Sequence, residues 1–213
     1  MSYVLHSYFR SSASWRVRIA LAWKGLVVDY QAVHLVKKEN LGHPQLGAAQ
    51  AVPALTLPDG RRLTQSLAIL EYLEEQHPEP PLLPRDPVAR AQARSLALDI
   101  ACEIHPLNNL RVLRYLVGPL KADEDQKFVW MRHWMEQGLR VVEQRLREEG
   151  FAGTFCMGDA PSLADCLLVP QLFNARRFEA RLDGLERVLD IERRCLALQA
   201  FADTHPSRVP DAE

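Results

Sequence analysis

Ser11-Ser12-Ala13-Ser14-Trp15-Arg16-Val17-Arg18-Ile19-Ala20-Leu21 is a cluster of hydroxyls that runs straight into a helical pattern. Trp15, Ile19 and Trp23 fall at i, i+4 and i+8, on one stripe of a helix spanning Trp15 to Lys24. Gly25 follows the last periodic residue, where a C-terminal cap belongs. Upstream, Tyr3 to Tyr8 is short and β-prone, so the hydroxyls occupy a strand-to-helix turn. A helix N-terminus carries unpaired N–H groups and a partial positive charge. It stabilises anions, a thiolate among them, and a hydroxyl there can donate to a bound sulfur. A free thiol has a pKa of ~8.5, so such help matters at neutral pH. Spacing alone favours the plainer reading, in which Ser11, Ser12 or Ser14 simply caps the helix.

Outward from this turn, Val27 to Leu35 is rich in β-branched and aromatic residues and reads as a strand. Ala54–Leu57 and Arg61–Leu63 flank Pro58-Asp59-Gly60, a tight-turn signal between two further strands. Ser66 opens a helix carrying Leu67, Leu70 and Leu73. The order is βαβ, an ill-defined stretch, then ββα, which fits a small α/β sheet with helices packed on it. His77 to Pro87 holds five of the chain's 14 prolines. Proline removes a backbone donor and disfavours helix in the residue before it, so a domain boundary falls here. The expected division is 1–82 and 88–213.

Everything beyond that boundary reads helical. Ala93, Leu96, Ala97, Ile100, Ile104 and Leu107 keep the i, i+3, i+4 rhythm, as do Phe128, Met131, Met135, Leu139, Val142 and Leu146. Ser162-Leu163-Ala164-Asp165 has the form of a capping box, which makes Ser162 and Asp165 structural. From Thr204 onward the chain is polar and Pro-containing and is expected to fray.

The 213 residues suit one large domain or two small ones. With 47% hydrophobic residues and a net charge of −1, the chain can bury a core and has no overall field to draw nucleic acid or an anionic membrane. No apolar run approaches the ~20 residues needed to span a bilayer. The N-terminal residues do not have the form of a signal peptide. The four cysteines show no Cys-x-x-Cys and no metal-ligand spacing, which points to a cytoplasmic protein with reduced, mostly buried thiols and no metal.

Two further places could carry chemistry. Pro53 enters a strand from a loop after Val52, and Gln65-Ser66 stands at a helix start whose free N–H groups suit a carboxylate. An ordinary strand-to-helix turn explains the same residues. Glu103 to Arg111 runs through Pro106, which is expected to bend a long helix and could turn His105, Asn109 and Arg111 toward a cleft. A lone helical histidine is more often solvated or hydrogen-bonded than catalytic.

The Ser11–Leu21 run closely resembles the signature of zeta-class glutathione transferases, the family of the maleylacetoacetate and maleylpyruvate isomerases. The likeness continues through Val52-Pro53-Ala54-Leu55, Gln65 to Glu75, Ile104 to Leu113, Gly158-Asp159 with Leu163-Ala164-Asp165, Val169-Pro170-Gln171 and Asn174 to Phe178. The resemblance implies a glutathione S-transferase fold: an α/β thioredoxin-like N-terminal domain followed by an all-α C-terminal domain. It also implies a homodimer and glutathione as the thiol cofactor. Carried over by position, Ser11 activates the sulfur, and Ser12 and Ala13 line the same turn. Val52 and Pro53 meet the cysteinyl part, and Gln65 and Ser66 take the γ-glutamyl carboxylate. His105, Asn109 and Arg111 fall on ligand-binding positions, and Arg10 and Arg177 match cations for a substrate carboxylate.

Family members commonly carry Cys where this chain has Ala13. The stretch from Leu41 to Val52 is shorter than usual and lacks an Asn-Pro before Val52-Pro53, leaving His34 and Asn40 as loose candidates for a glutathione contact. The implied activity is cis–trans isomerisation of a maleyl-type diketo acid, maleylacetoacetate first, in aromatic amino acid or aromatic acid catabolism. Isomerisation of maleylpyruvate, conjugation or dehalogenation of small α-halo acids, and glutathione binding without catalysis are the alternatives. The first turn has no cysteine at all, which argues against a thioredoxin-like disulfide reductase.

Overall fold

The computed structural model describes residues 2–148 and 153–213. The chain divides into two compact units: Met1–Leu83 together with Leu196–Glu213, and Pro84–Cys195. The tail that the sequence reading grouped with the helical domain therefore packs with the first unit.

The first unit carries β1 (Tyr3–Ser7), α1 (Ser12–Trp23), β2 (Val28–Ala32), β3 (Ala54–Thr56), β4 (Arg62–Thr64) and α2 (Ser66–Gln76). The sheet order is β2-β1-β3-β4. β1 and β2 run parallel, as a helical crossover requires, while β3 and β4 form an antiparallel hairpin. This is the mixed thioredoxin-like sheet. Leu5, Val17, Ile19, Leu21, Leu55, Ile69, Leu70 and Leu73 are fully buried between sheet and helices. Gly25 closes α1 at φ +65, a left-handed conformation that glycine adopts without penalty.

Lys24 is buried and donates to Glu74 Oε2 at 2.8 Å and to the Pro80 carbonyl at 3.1 Å. Glu74 in turn accepts from the amides of Leu82 and Leu83. The buried Lys24–Glu74 pair thus holds the main chain of the Pro-rich segment at Pro80, Leu82 and Leu83 within the first unit.

The tail does not fray. Trp15 Nε1 donates to Thr204 Oγ1 at 3.0 Å, and Arg18 Nε donates to the Thr204 carbonyl at 3.2 Å. Val209 packs against the apolar cluster formed by Tyr8, Phe9, Val33, Leu46, Val52 and Ala54. The tail is polar, yet Thr204 and Asp211 bond to Trp15 and Arg18 of α1, to Phe9 just beyond β1 and to Tyr30 of β2, contacts that polarity alone does not announce.

The second unit contains α3 (Pro87–Leu98), α4 (Leu110–Val117), α5 (Glu124–Glu148), α6 (Leu163–Arg177) and most of α7 (Glu186–Leu196). α8 (Gln199–Ala202) belongs to the first. α6 is buried along nearly its whole length and forms the centre of the helical unit. Ala93, Leu96 and Ala97 of α3 and Met131, Met135, Leu139 and Val142 of α5 are buried as their spacing predicts.

At Pro106 the structure breaks the helix instead of bending it. Asp99–Ile104 widens into a π-type turn, a 3-10 turn follows over Pro106–Asn108, and Asn109 is extended at φ −70, ψ 145 before α4 begins. Pro106 has no N–H to carry the ladder on, and the widened turn has already moved the His105 amide to the Ile100 carbonyl. α5 meets this turn at Gly138, where a Cβ would lie 2.3 Å from Ile104 Cγ1. The approach exists only because the residue has no side chain.

Asp165 is fully buried and closes the capping box on α6. Its Oδ2 accepts from the Ser162 amide and hydroxyl, both at 2.7 Å, and its Oδ1 from the Cys156 amide at 3.0 Å. Burial pushes this carboxyl up, and the Ser162 and Cys156 donors pull it back. Cys156, Cys166 and Cys195 are buried, while Cys102 is exposed. Burial raises the Cys156 and Cys195 thiols, so both stay protonated and inert.

Candidate active site

Strand directions decide where the candidate residues of the first unit gather. His6 pairs with Ala54, and Ala54 with Thr64, so the end of β1, the start of β3 and the end of β4 lie together. Parallel pairing of Ser7 with Ala32 adds the end of β2. Four connections therefore emerge at one end of the sheet: Tyr8–Ser11, the segment after Ala32, Val52-Pro53, and Gln65-Ser66. Residues scattered over more than fifty positions are brought to one place by pairing alone.

Ser11 is the N-cap of α1, and its Oγ accepts from the Ser14 amide at 3.2 Å. Its own N–H donates to the Tyr8 carbonyl at 2.9 Å. The cap that spacing favoured is therefore present, and it leaves the hydroxyl proton to be donated elsewhere, because capping uses Oγ only as an acceptor. No acidic residue stands in the first turn of α1, so its positive end is not neutralised from within. Ser12 and Ala13 form that first turn, with Ser12 buried and Ala13 half-buried.

The Val52–Pro53 peptide is cis and leads directly into β3. Gln65 is exposed at φ +70, ψ 115, a conformation that strains a non-glycine residue by ~1–3 kcal/mol. Ser66 is buried, and its Oγ accepts from Arg16 Nη1 at 3.2 Å, which joins α1 to the first turn of α2. Sequence reading missed Arg16; a charged residue on an otherwise apolar helix face was the available signal. Gln65→Gly is expected to relieve the strain, holding or raising the melting temperature by a few degrees, while raising KM for glutathione. A fall in both melting temperature and KM would show that the conformation serves the fold rather than the ligand.

Arg10 donates to the Tyr8 hydroxyl from Nε at 3.1 Å and from Nη2 at 2.7 Å, and its guanidinium lies 4.8 Å from the Phe9 ring centroid. Its Nη2 is 4.0 Å from Glu213 Oε2, and His34 Nε2 meets the other oxygen of that carboxylate, Oε1, at 3.0 Å. His34 thus joins Arg10 at this end of the sheet. Asn40 is instead taken up by the loop, its Nδ2 donating to the Gln50 carbonyl at 2.7 Å.

The other candidates lie in the helical unit. His105 is half-buried between the π-type and 3-10 turns. Asn109 is the N-cap of α4, its Oδ1 accepting from the Arg111 amide at 3.1 Å, and Arg111 is exposed. Arg177 ends α6, exposed, with its guanidinium 4.7 Å from the Phe178 ring centroid.

The family model for the glutathione S-transferase N-terminal domain matches residues 5–81. A probable maleylacetoacetate isomerase of Vibrio cholerae is 44% identical, with 100% of this chain and 99% of that protein covered. The chain belongs to the zeta-class glutathione S-transferase family. A solved maleylpyruvate isomerase, described as a bacterial zeta-class glutathione S-transferase, shares 41% identity with this zeta-class chain at a TM-score of 0.95, covering 99% of this chain and 100% of its own. The maleylacetoacetate isomerase of Anaeromyxobacter dehalogenans, solved with glutathione in its active site, shares 44% identity at a TM-score of 0.90, with 100% and 98% covered. The fold expected of a zeta-class transferase is therefore present, Ala13 included where a cysteine is common in the class.

Proposed function

We propose that this protein is a glutathione-dependent cis–trans isomerase of a maleyl-type diketo acid, with maleylacetoacetate as its first substrate. The observation that carries the reading is the Ser11 turn: a capped, acid-free helix start with a hydroxyl proton to give, beside Val52-Pro53 and Gln65-Ser66. Full-length likeness to proteins named for this reaction supports it.

The residues present fit glutathione. Ser66 keeps its proton for a carboxylate while accepting from Arg16, and the first amides of α2 are directed the same way. Gln65 adds a side-chain amide at the exposed lip. Val52 offers main-chain groups for the cysteinyl part. When bound, glutathione supplies a thiolate that adds to the conjugated double bond, allows rotation about the resulting single bond, and leaves again.

Ser11 holds that sulfur ionised through its hydroxyl and the positive end of α1. Arg10 is assigned to the substrate's carboxylate through the resemblance, a pairing its planar fork favours. Arg177, His105, Asn109 and Arg111 are assigned to ligand binding through the resemblance alone. Ala13 removes a thiol from the turn without removing the hydroxyl or the helix end, so the nucleophile is the cofactor's.

A homodimer, a cytoplasmic location and a place in aromatic amino acid catabolism complete the reading. No helix among the described residues is long and apolar enough to cross a membrane. Maleylacetoacetate incubated with protein and glutathione tests it by loss of the cis-enol absorbance. A rate no greater than that with glutathione alone would overturn the isomerase reading. Calorimetric binding of glutathione would then mark a surviving binding protein.

A further inference from the structure

Ser11 lies in a turn whose main-chain groups are held from two sides. From below, Arg18, 4% exposed, donates from Nη2 to the Phe9 carbonyl at 3.1 Å, from Nη1 to Ser7 Oγ at 3.1 Å, and to the Tyr8 carbonyl at 3.4 Å. The Tyr8 carbonyl also receives the Ser11 amide. From the other side comes the tail. Asp211 Oδ2 accepts from the Phe9 amide at 2.9 Å, and Asp211 Oδ1 accepts from the Tyr30 hydroxyl at 2.6 Å.

Phe9 is buried and has left the strand, so no ladder bond is open to its N–H. A carboxylate two hundred positions along the chain takes it. Tyr30 sits on β2 opposite Leu5 of β1, which ties the same carboxylate to the sheet. Two residues earlier in the tail, Val209 packs against the apolar cluster to which Tyr8 and Phe9 belong.

We propose that Asp211 is a positioning residue for Ser11: by fixing the Phe9 amide it sets the path of the Tyr8–Ser11 turn and hence the aim of the Ser11 hydroxyl. The proposal rests on the reading of Ser11 as the residue that activates the glutathione sulfur. A loosened turn leaves Ser11 in place by sequence but off target, and displacement of ~1 Å at a reacting centre can lower a rate by about 10²-fold.

The test compares Asp211→Ala, Asp211→Asn, Tyr30→Phe and Ser11→Ala in the full-length protein. Two readouts serve: ultraviolet titration of the thiol of bound glutathione, and separate kcat and KM values. Asp211→Ala is expected to move the bound-thiol titration up toward that of free glutathione and to lower kcat at least tenfold, with a smaller change in KM. Asp211→Asn keeps an acceptor for Tyr30 but presents an N–H group toward the Phe9 amide. It should shift the titration in the same direction, and it serves if the alanine variant does not fold. Tyr30→Phe should shift it less than Asp211→Asn does. If both Asp211 variants titrate like the parent while Ser11→Ala is shifted, the positioning role is wrong, even if they melt earlier. If Ser11→Ala itself titrates like the parent, the Ser11 reading is wrong and the positioning role falls with it.

Discussion

Ser11→Ala is expected to lower glutathione-dependent turnover by roughly 10²-fold, the usual cost of removing one preorganised donor from a developing anion. Two effects combine in this residue, and they separate by magnitude. Loss of the cap on α1 costs about 1 kcal/mol of stability, because the Ser14 amide loses its acceptor. A change of that size lowers the melting temperature by only a few degrees in a chain of this length. Loss of the hydroxyl proton acts on the sulfur alone, so the pH profile of kcat should move up while KM for glutathione changes little. Ser11→Thr keeps a hydroxyl and a cap and should recover much of the rate. Turnover by Ser11→Ala within threefold of the parent would place sulfur activation elsewhere.

Asp165→Ala should bring the largest loss of stability, about 3–5 kcal/mol, or roughly 10 °C in melting temperature. Three strong donors lose their acceptor together: the Ser162 amide, the Ser162 hydroxyl and the Cys156 amide. All lie in a fully buried setting, where water cannot replace the lost partner. The capping box on α6 disappears at the same time, and α6 is the helix around which the second unit packs. Asp165→Asn keeps one carbonyl for the Cys156 amide and should lose about half as much. Thermal unfolding followed by circular dichroism measures both. A melting point within 2–3 °C of the parent would mean that the buried charge costs nearly as much as its bonds return, the balance known for some buried ions.

Local chemistry made the first unit readable. Trp15 and Ile19 declared α1, Gly25 ended it, Pro58-Asp59-Gly60 marked the hairpin and Ser66 opened α2, each through interactions spanning a few residues. Ser162 and Asp165 were legible for the same reason. Ser11 could be placed on a helix start, but spacing does not tell a cap from a thiol activator, since both roles ask for the same hydroxyl at the same position. The break before α4 was hidden because Ala93 to Ile104 keep their apolar rhythm through the π-type turn, which shifts hydrogen bonds without changing the order of buried residues. The docked tail was hidden by distance. Its decisive partners are Trp15, Arg18 and Tyr30, and no local propensity announces a contact between Asp211 and the hydroxyl of Tyr30. Arg16 under Ser66 escaped for the same reason.

The first unit is assembled from both ends of the chain, and this orders its birth on the ribosome. Synthesis at ~5–20 residues per second delivers Leu196–Glu213 on the order of ten seconds after Leu83. During that interval the nascent sheet can pair its strands, yet Arg18 lacks the Thr204 carbonyl and Phe9 lacks the Asp211 carboxylate. The helical unit, Pro84–Cys195, is continuous and has all its partners in hand first. The first unit is therefore begun before the helical unit and completed after it, and the Phe9–Asp211 bond can form only once Leu196–Glu213 has been synthesised.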